Sequence, residues 1–209
     1  MIRIVVFYLA IQLNGFLVSL YLKEYLTIEG VVLLQLVLLS VTCLEIARHK
    51  TLQAKKITLS NRLGWLLLGF VCMVAFAVFI SFLFSVQTRN QAVLLQVGKQ
   101  VPHVIFLLFL VNASVLEEVV YRQLLWEKLT FPFVQVVVTS FLFVLSHGPN
   151  QLGTWLMYSC LGLTLAAVRL KTDCMMAIAL HLLWNSLAYV VTFLCYQNQE
   201  CFRIMESYV

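Results

Sequence analysis

Residues 117–122 read Glu-Glu-Val-Val-Tyr-Arg, which places two adjacent carboxylates and an arginine inside a long run of apolar side chains. These three are the only charged residues between positions 104 and 125, a window long enough to cross a bilayer as a helix. An ionisable side chain at membrane depth costs roughly 2.5–3.5 kcal/mol, so three unpaired charges would cost on the order of 10 kcal/mol. We therefore expect these charges to be paired, placed in a wet cavity, or both.

The composition around this stretch is that of an integral membrane protein. Of 209 residues 62% are hydrophobic and 11% are charged, and the mean hydropathy is +0.96. The charged residues fall between apolar runs, which predicts several spans in a single domain over 1–209, with the lipid bilayer as its surroundings. The net charge of +5 does not indicate a nucleic-acid partner, because basic residues of membrane proteins gather in cytoplasmic loops.

The apolar runs predict an all-α polytopic transmembrane helix bundle of about seven spans. The first span carries no small-residue cleavage site, so we expect it to be retained. Placing the basic loop near 48–62 in the cytoplasm puts ten of the fourteen basic residues on that side, which predicts a cytoplasmic amino terminus. The predicted spans are 3–22, 28–47, 63–84, 103–129, 132–147, 152–169 and 174–196.

Among the further polar residues at membrane depth, His147, His181 and Asn185 stand out. Counted from the turn near residue 130, Glu117 and His147 lie roughly 20 and 25 Å deep at 1.5 Å per residue. Counted from the turn near residue 172, which lies on the same side, His181 and Asn185 lie about 14 and 20 Å deep. The helix rise therefore predicts that four groups from three helices meet near mid-membrane.

The spacing separates two roles within the first motif. Glu118 and Arg122 are four apart, the spacing of an ion pair along one helix face, and we interpret both as structural. Glu117 points about 100° away, toward another neighbour. A carboxylate and an imidazole can take a proton from water, and a second imidazole with an amide can hold an oxyanion. This equipment suits peptide hydrolysis.

The sequence lacks the signature motifs of other protease classes. There is no His-Glu-x-x-His metal motif, no Gly-x-Ser-x-Gly elbow and no rhomboid-like Gly-x-Ser-Gly. An aspartyl intramembrane protease needs two aspartates, whereas this chain has one, Asp173, in a predicted loop. A glutamate-centred site remains.

The pattern resembles the CPBP family of intramembrane endopeptidases, which includes CaaX prenyl endopeptidases and bacterial bacteriocin-processing or immunity (Abi) proteins. The match spans about 117–185, with 103–196 as a catalytic four-helix core and 1–100 as accessory spans. It rests on three motifs in order: Glu117-Glu118-x-x-x-Arg122, Phe143-x-x-x-His147 and His181-x-x-x-Asn185.

The resemblance implies that Glu117 and His147 activate water, that His181 and Asn185 hold the oxyanion, and that the protein lies in a bacterial cell membrane. Family members have been described both as metal-dependent and as metal-free. Zinc would take Glu117, His147 and His181 as ligands, but we expect no cofactor.

The sequence thus predicts an intramembrane endopeptidase for a membrane-associated peptide or protein. Two alternatives stay open. One is a non-catalytic binding protein for a bacteriocin, a pheromone or a signalling partner, with an immunity or regulatory role. The other is a small ion or proton transporter that uses Glu117 and His147 as a relay.

Overall fold

A computed structural model describes residues 2–48, 57–84, 97–98 and 100–197, and for 192–197 only the helical backbone. This part is an all-α bundle, as predicted. Residues 49–56, which belong to the predicted basic loop, and residues 85–96, 99 and 198–209 lie outside the described residues. The α-helices are α1 Ile2–Leu22, α2 Ile28–Arg48, α3 Leu59–Phe84, α4 His103–Glu118, α5 Pro132–Ser146, α6 Leu152–Lys171 and α7 Cys174–Gln197.

Five helical segments of the described chain are long and apolar enough to cross a membrane. They are α1, α2, α3, the helical run His103–Lys128 and the stretch Cys174–Val191 of α7. Helix α5 is apolar but has only 15 residues, and α6, which contains several glycine and hydroxyl residues, falls outside this group. The expected seven helices are therefore present, and five of them satisfy the length and apolarity of a span.

Helix α3 begins at Leu59, four residues before the predicted start, because Thr58 caps it. The Thr58 hydroxyl accepts a hydrogen bond from the backbone N–H of Asn61 at 3.4 Å, and the Thr58 carbonyl accepts one from Arg62 at 3.1 Å. A threonine at this position satisfies N–H groups that the first turn leaves free. Apolarity alone does not reveal such a start.

Helix α4 is the centre of the bundle. In the apolar window that begins with α4, 61% of the residues are buried, compared with 17–28% in the other candidate spans. Helices α1, α2 and α7 pack directly on α4, while α3 packs on α6 and α7, and α5 packs on α6. The stretch with the charged residues is thus the most enclosed one.

The span predicted over 103–129 is confirmed as the helical run His103–Lys128, but its second half is not an α-helix. The α-helix ends at Glu118, a π-helix follows over Val119–Leu124, and a 3₁₀ turn over Trp126–Lys128 completes the run. All six π-helical residues are buried. The wide turn is stabilised from outside, because the Arg169 Nε–H donates to the Arg122 carbonyl at 2.8 Å. Such wide turns are frequent at functional sites.

Close packing of α3 depends on Gly69. A Cβ there would lie 2.8 Å from Leu180 Cδ2 and 2.9 Å from Val168 Cγ2, whereas a Cβ at Gly64 would meet nothing within 4 Å. We expect Gly69→Ala to lower the free energy of unfolding by about 1–3 kcal/mol, because the β-branched Val168 cannot turn away easily. Thermal unfolding in detergent should show a lower midpoint for Gly69→Ala and an equal or higher one for Gly64→Ala. Equal midpoints for Gly69→Ala and wild type would contradict this.

Candidate active site

Glu117 and His147 face each other across the gap between α4 and α5. Glu117 Oε2 lies 3.8 Å from His147 Nε2, and the side chains are 15% and 12% exposed. This separation is too long for a direct hydrogen bond. A water molecule can contact both groups.

The end of α5 fixes how His147 is presented. His147 is the C-cap of this helix, and Gly148 follows at φ 56°, a left-handed conformation that glycine adopts without strain. The ring turns back so that Nδ1 lies 2.8 Å from the Phe143 carbonyl oxygen. A carbonyl only accepts, so Nδ1 carries a hydrogen, and in the neutral form of the ring Nε2 offers a lone pair toward Glu117.

Glu118 contacts two side chains, one of which was predicted from the sequence and one of which was not. Its Oε2 lies 3.6 Å from Arg122 Nε, the predicted ion pair along the chain. Its Oε1 lies 3.0 Å from His181 Nδ1 on α7. Glu118 and Arg122 are fully buried and His181 is nearly so. Glu118 therefore orients His181 as well as pairing with Arg122.

Arg122 is held by more than its ion pair. Its Nη2–H donates to the Gly162 carbonyl on α6 at 2.9 Å, and its guanidinium carbon lies 5.0 Å from the centre of the Phe143 ring. A Cβ on Gly162 would come within 3.2–3.4 Å of Phe143 and the Ser140 backbone. Arg122 thus ties the π-helix to both α5 and α6.

Asn185 lies one turn beyond His181 on α7, and it is anchored to α4. Its Nδ2 donates to the Ser114 hydroxyl at 2.8 Å, and that hydroxyl donates to the Leu110 carbonyl at 2.9 Å. A primary amide has two N–H donors, so the second one stays available. Ser114 thereby sets the direction of the Asn185 amide.

The four residues predicted to act together line one cavity of about 390 Å³. This volume lies within the range of small-molecule and cofactor sites. The structure therefore brings Glu117, His147, His181 and Asn185 together, while Glu118 and Arg122 lie behind them. Other lining residues come from α1, α4, the π-helix and the end of α5, and they include Tyr8, Ile11, Gln12, Phe109, Leu110, Ala113, Tyr121, Ser146 and Gly148.

Two contributions to the site were not predicted from the sequence. Ser114 lies four residues before Glu118 and so shares its helix face, a signal that was present but not used. Tyr8 and Gln12 in α1 are likewise four apart and polar within an apolar span. Their meeting with α4 depends on helix packing, which the spacing of one helix does not reveal.

Zinc ligation by Glu117, His147 and His181 stays a prediction. Among the residues that the structure describes, no group of three or more His, Cys, Asp or Glu side chains is placed to hold a metal ion. We therefore derive no step through a metal.

Comparison with known proteins points to one family. The chain is 31% identical over 110 residues to UPF0177 protein YvdC from Lactococcus lactis subsp. lactis (strain IL1403); the match covers 51% of this chain and 42% of that relative, so less than half of the relative's length is spanned. No solved structure matches. Residues 99–187 match the family described as type II CAAX prenyl endopeptidase Rce1-like. The segment that carries all the predicted site residues is therefore similar to the Rce1-like family, in agreement with the resemblance to the CPBP family.

Proposed function

We propose that this protein is an intramembrane endopeptidase that hydrolyses a peptide bond through a water activated by Glu117 and His147. One observation carries the proposal: a carboxylate and an imidazole face each other in a cavity that His181 and Asn185 also line, inside a helical bundle with five candidate membrane spans. The Rce1-like match over 99–187 supports a protease of the CAAX type.

The water is the nucleophile. Bound between the Glu117 carboxylate and His147 Nε2, it can hydrogen-bond to both groups, which together take one proton as its oxygen attacks the carbonyl carbon of the substrate. The new C–O bond converts the carbonyl into a tetrahedral oxyanion. The same pair then returns the proton to the leaving amide nitrogen as the C–N bond breaks, so protons balance over one turnover.

His181 and Asn185 hold the oxyanion. The Asn185 amide has a second N–H beyond the one that it gives to Ser114. His181 can donate from Nε2 while it donates to Glu118 from Nδ1 only if it carries both ring hydrogens, and the Glu118 carboxylate supplies the counter-charge. Donors fixed in advance in a water-poor site stabilise developing charge strongly.

Charge balance explains why the bundle tolerates these groups. Glu117 and Glu118 carry two negative charges, and Arg122 together with a doubly protonated His181 carries two positive ones. A neutral cluster avoids most of the cost of isolated charges at membrane depth. On this account Glu118 and Arg122 are positioning residues, because neither is among the residues that line the cavity.

The test is cleavage of a peptide panel by purified protein in liposomes. The panel contains prenylated and unmodified fluorogenic peptides, each assayed with and without a chelator. Cleavage that persists with chelator supports the metal-free mechanism, and loss of cleavage would favour a metal enzyme. A folded protein that cleaves no peptide would overturn the proposal in favour of the non-catalytic binding protein.

Ser114 offers a more selective test of the oxyanion assignment. We expect Ser114→Ala to lower kcat by about 3- to 10-fold with little change in KM, because Asn185 loses one hydrogen bond that directs its amide. Ser19→Ala is the matched control, since Ser19 also bonds to the carbonyl four residues earlier but lies exposed in α1. An unchanged kcat in Ser114→Ala would mean that this contact does not position Asn185 for the reaction.

A further inference from the structure

Helix α1 forms one wall of the candidate active site, although it lies outside the segment that matches the Rce1-like family. Tyr8, Ile11 and Gln12 project from one face of α1 into the cavity lined by Glu117 and His147. These three residues combine one apolar surface with a hydroxyl and a primary amide. The wall therefore offers both hydrogen bonding and apolar contact.

The position of this wall is fixed relative to α4. Asn14, one turn along α1 from Ile11 and almost fully buried, donates from Nδ2 to the Phe109 carbonyl at 2.9 Å. Phe7, Leu17 and Val18 of the same helix are also buried. The register between α1 and α4 is thus set by packing and by a hydrogen bond in the same region.

Gln12 is the group on this wall that needs a partner. It is exposed at the cavity, and no hydrogen bond joins its side chain to another residue in the part of the chain that the structure describes. An amide among lipid tails is unfavourable unless water or a ligand satisfies it. The Gln12 amide therefore gains a hydrogen-bond partner only when water or a polar ligand enters the cavity.

We infer that Gln12 binds the backbone of an extended substrate segment beside the scissile bond, while Ile11 and Phe109 contact its apolar side chains. This inference rests on the proposed function. A primary amide offers both donor and acceptor, so it can pair with the N–H and C=O of a peptide in the manner of a neighbouring strand. Recognition through the backbone selects an extended, locally unfolded segment rather than one particular side chain.

The experiment pairs a protein variant with a peptide variant. The probe is the panel peptide that wild type cleaves best, together with a series of the same peptide in which each backbone amide in turn is N-methylated. We expect Gln12→Leu to raise KM and lower kcat/KM by about 3- to 10-fold with kcat nearly unchanged, the size of one net hydrogen bond. Leucine is favourable in a span, so folded yield should not fall.

The N-methyl series separates binding from general damage. At one peptide position, methylation should lower kcat/KM in wild type but add no further loss in Gln12→Leu, because the two changes remove the same contact. Leu13→Ala, next to Gln12 but not lining the cavity, should keep wild-type kinetics at every position. Losses that simply add at every position, or a Gln12→Leu protein with wild-type KM, would overturn this inference while cleavage itself upholds the proposed function. Absence of cleavage by wild type would overturn both.

Discussion

Glu117→Gln is expected to abolish peptide cleavage while the protein still folds and inserts. Glutamine keeps the size and hydrogen-bonding capacity of the side chain but cannot take a proton from water. Loss of a general base typically costs about 10²–10⁴-fold in rate. Glu117 is 15% exposed at the cavity and its Oε2 lies 3.8 Å from His147 Nε2, so the substitution breaks no direct hydrogen bond to that ring. The measurement is kcat/KM on the best panel peptide, alongside the thermal midpoint of the same sample.

Glu45→Gln is the matched control. Glu45 also lies near a basic group, 3.5 Å from Arg3, but at a half-buried position outside the cavity, and Arg3 itself is 62% exposed. Its substitution should leave both cleavage and the thermal midpoint close to wild type, since exposed ion pairs contribute about 0–1 kcal/mol. Full activity in Glu117→Gln would exclude Glu117 as the base. Complementation in cells adds a second readout, because a protein that only binds its partner tolerates the loss of one carboxylate more readily than an enzyme does.

The helical bundle could be predicted from the sequence because two features that define it depend only on neighbouring residues. Apolar runs of span length give helices, and the fixed rise per residue gives the depth of each polar group. That arithmetic anticipated that Glu117, His147, His181 and Asn185 would meet, and all four line one cavity. Their catalytic roles and the division into a core over 103–196 with accessory spans over 1–100 stay predictions.

The features that were missed depend on contacts between distant parts of the chain. Hydropathy does not distinguish an α-turn from a π-turn. In the π-helix after Glu118, the Arg122 carbonyl accepts a hydrogen bond from Arg169, which lies 47 residues later in the chain. The link from Glu118 to His181 spans 63 residues. An ion pair four residues apart was predictable, whereas the second partner of the same carboxylate required the fold.

Arg122→Leu is expected to destabilise the protein strongly and to reduce cleavage together with folded yield. The substitution removes the guanidinium from the fully buried Glu118, which keeps only His181 as a partner, and leaves the Gly162 carbonyl without its donor. Removal of one partner of a buried ion pair typically costs about 3–5 kcal/mol, because the remaining charge stays desolvated. The π-helix also loses its link to α6. The measurement is the thermal midpoint and the monodisperse yield in detergent, with cleavage normalised to folded protein.

Two further variants identify which property of Arg122 matters. Arg3→Leu removes an exposed arginine from its ion pair with Glu45 and should change the midpoint little. Arg122→Lys keeps the positive charge but lacks the planar fork that reaches both Glu118 and the Gly162 carbonyl, so its stability should fall between Arg122→Leu and wild type. If Arg122→Leu instead folded with wild-type yield and midpoint but did not cleave, Arg122 would act on the reaction itself. The neutral cluster would then serve catalysis, and the structural role assigned to Arg122 would be wrong.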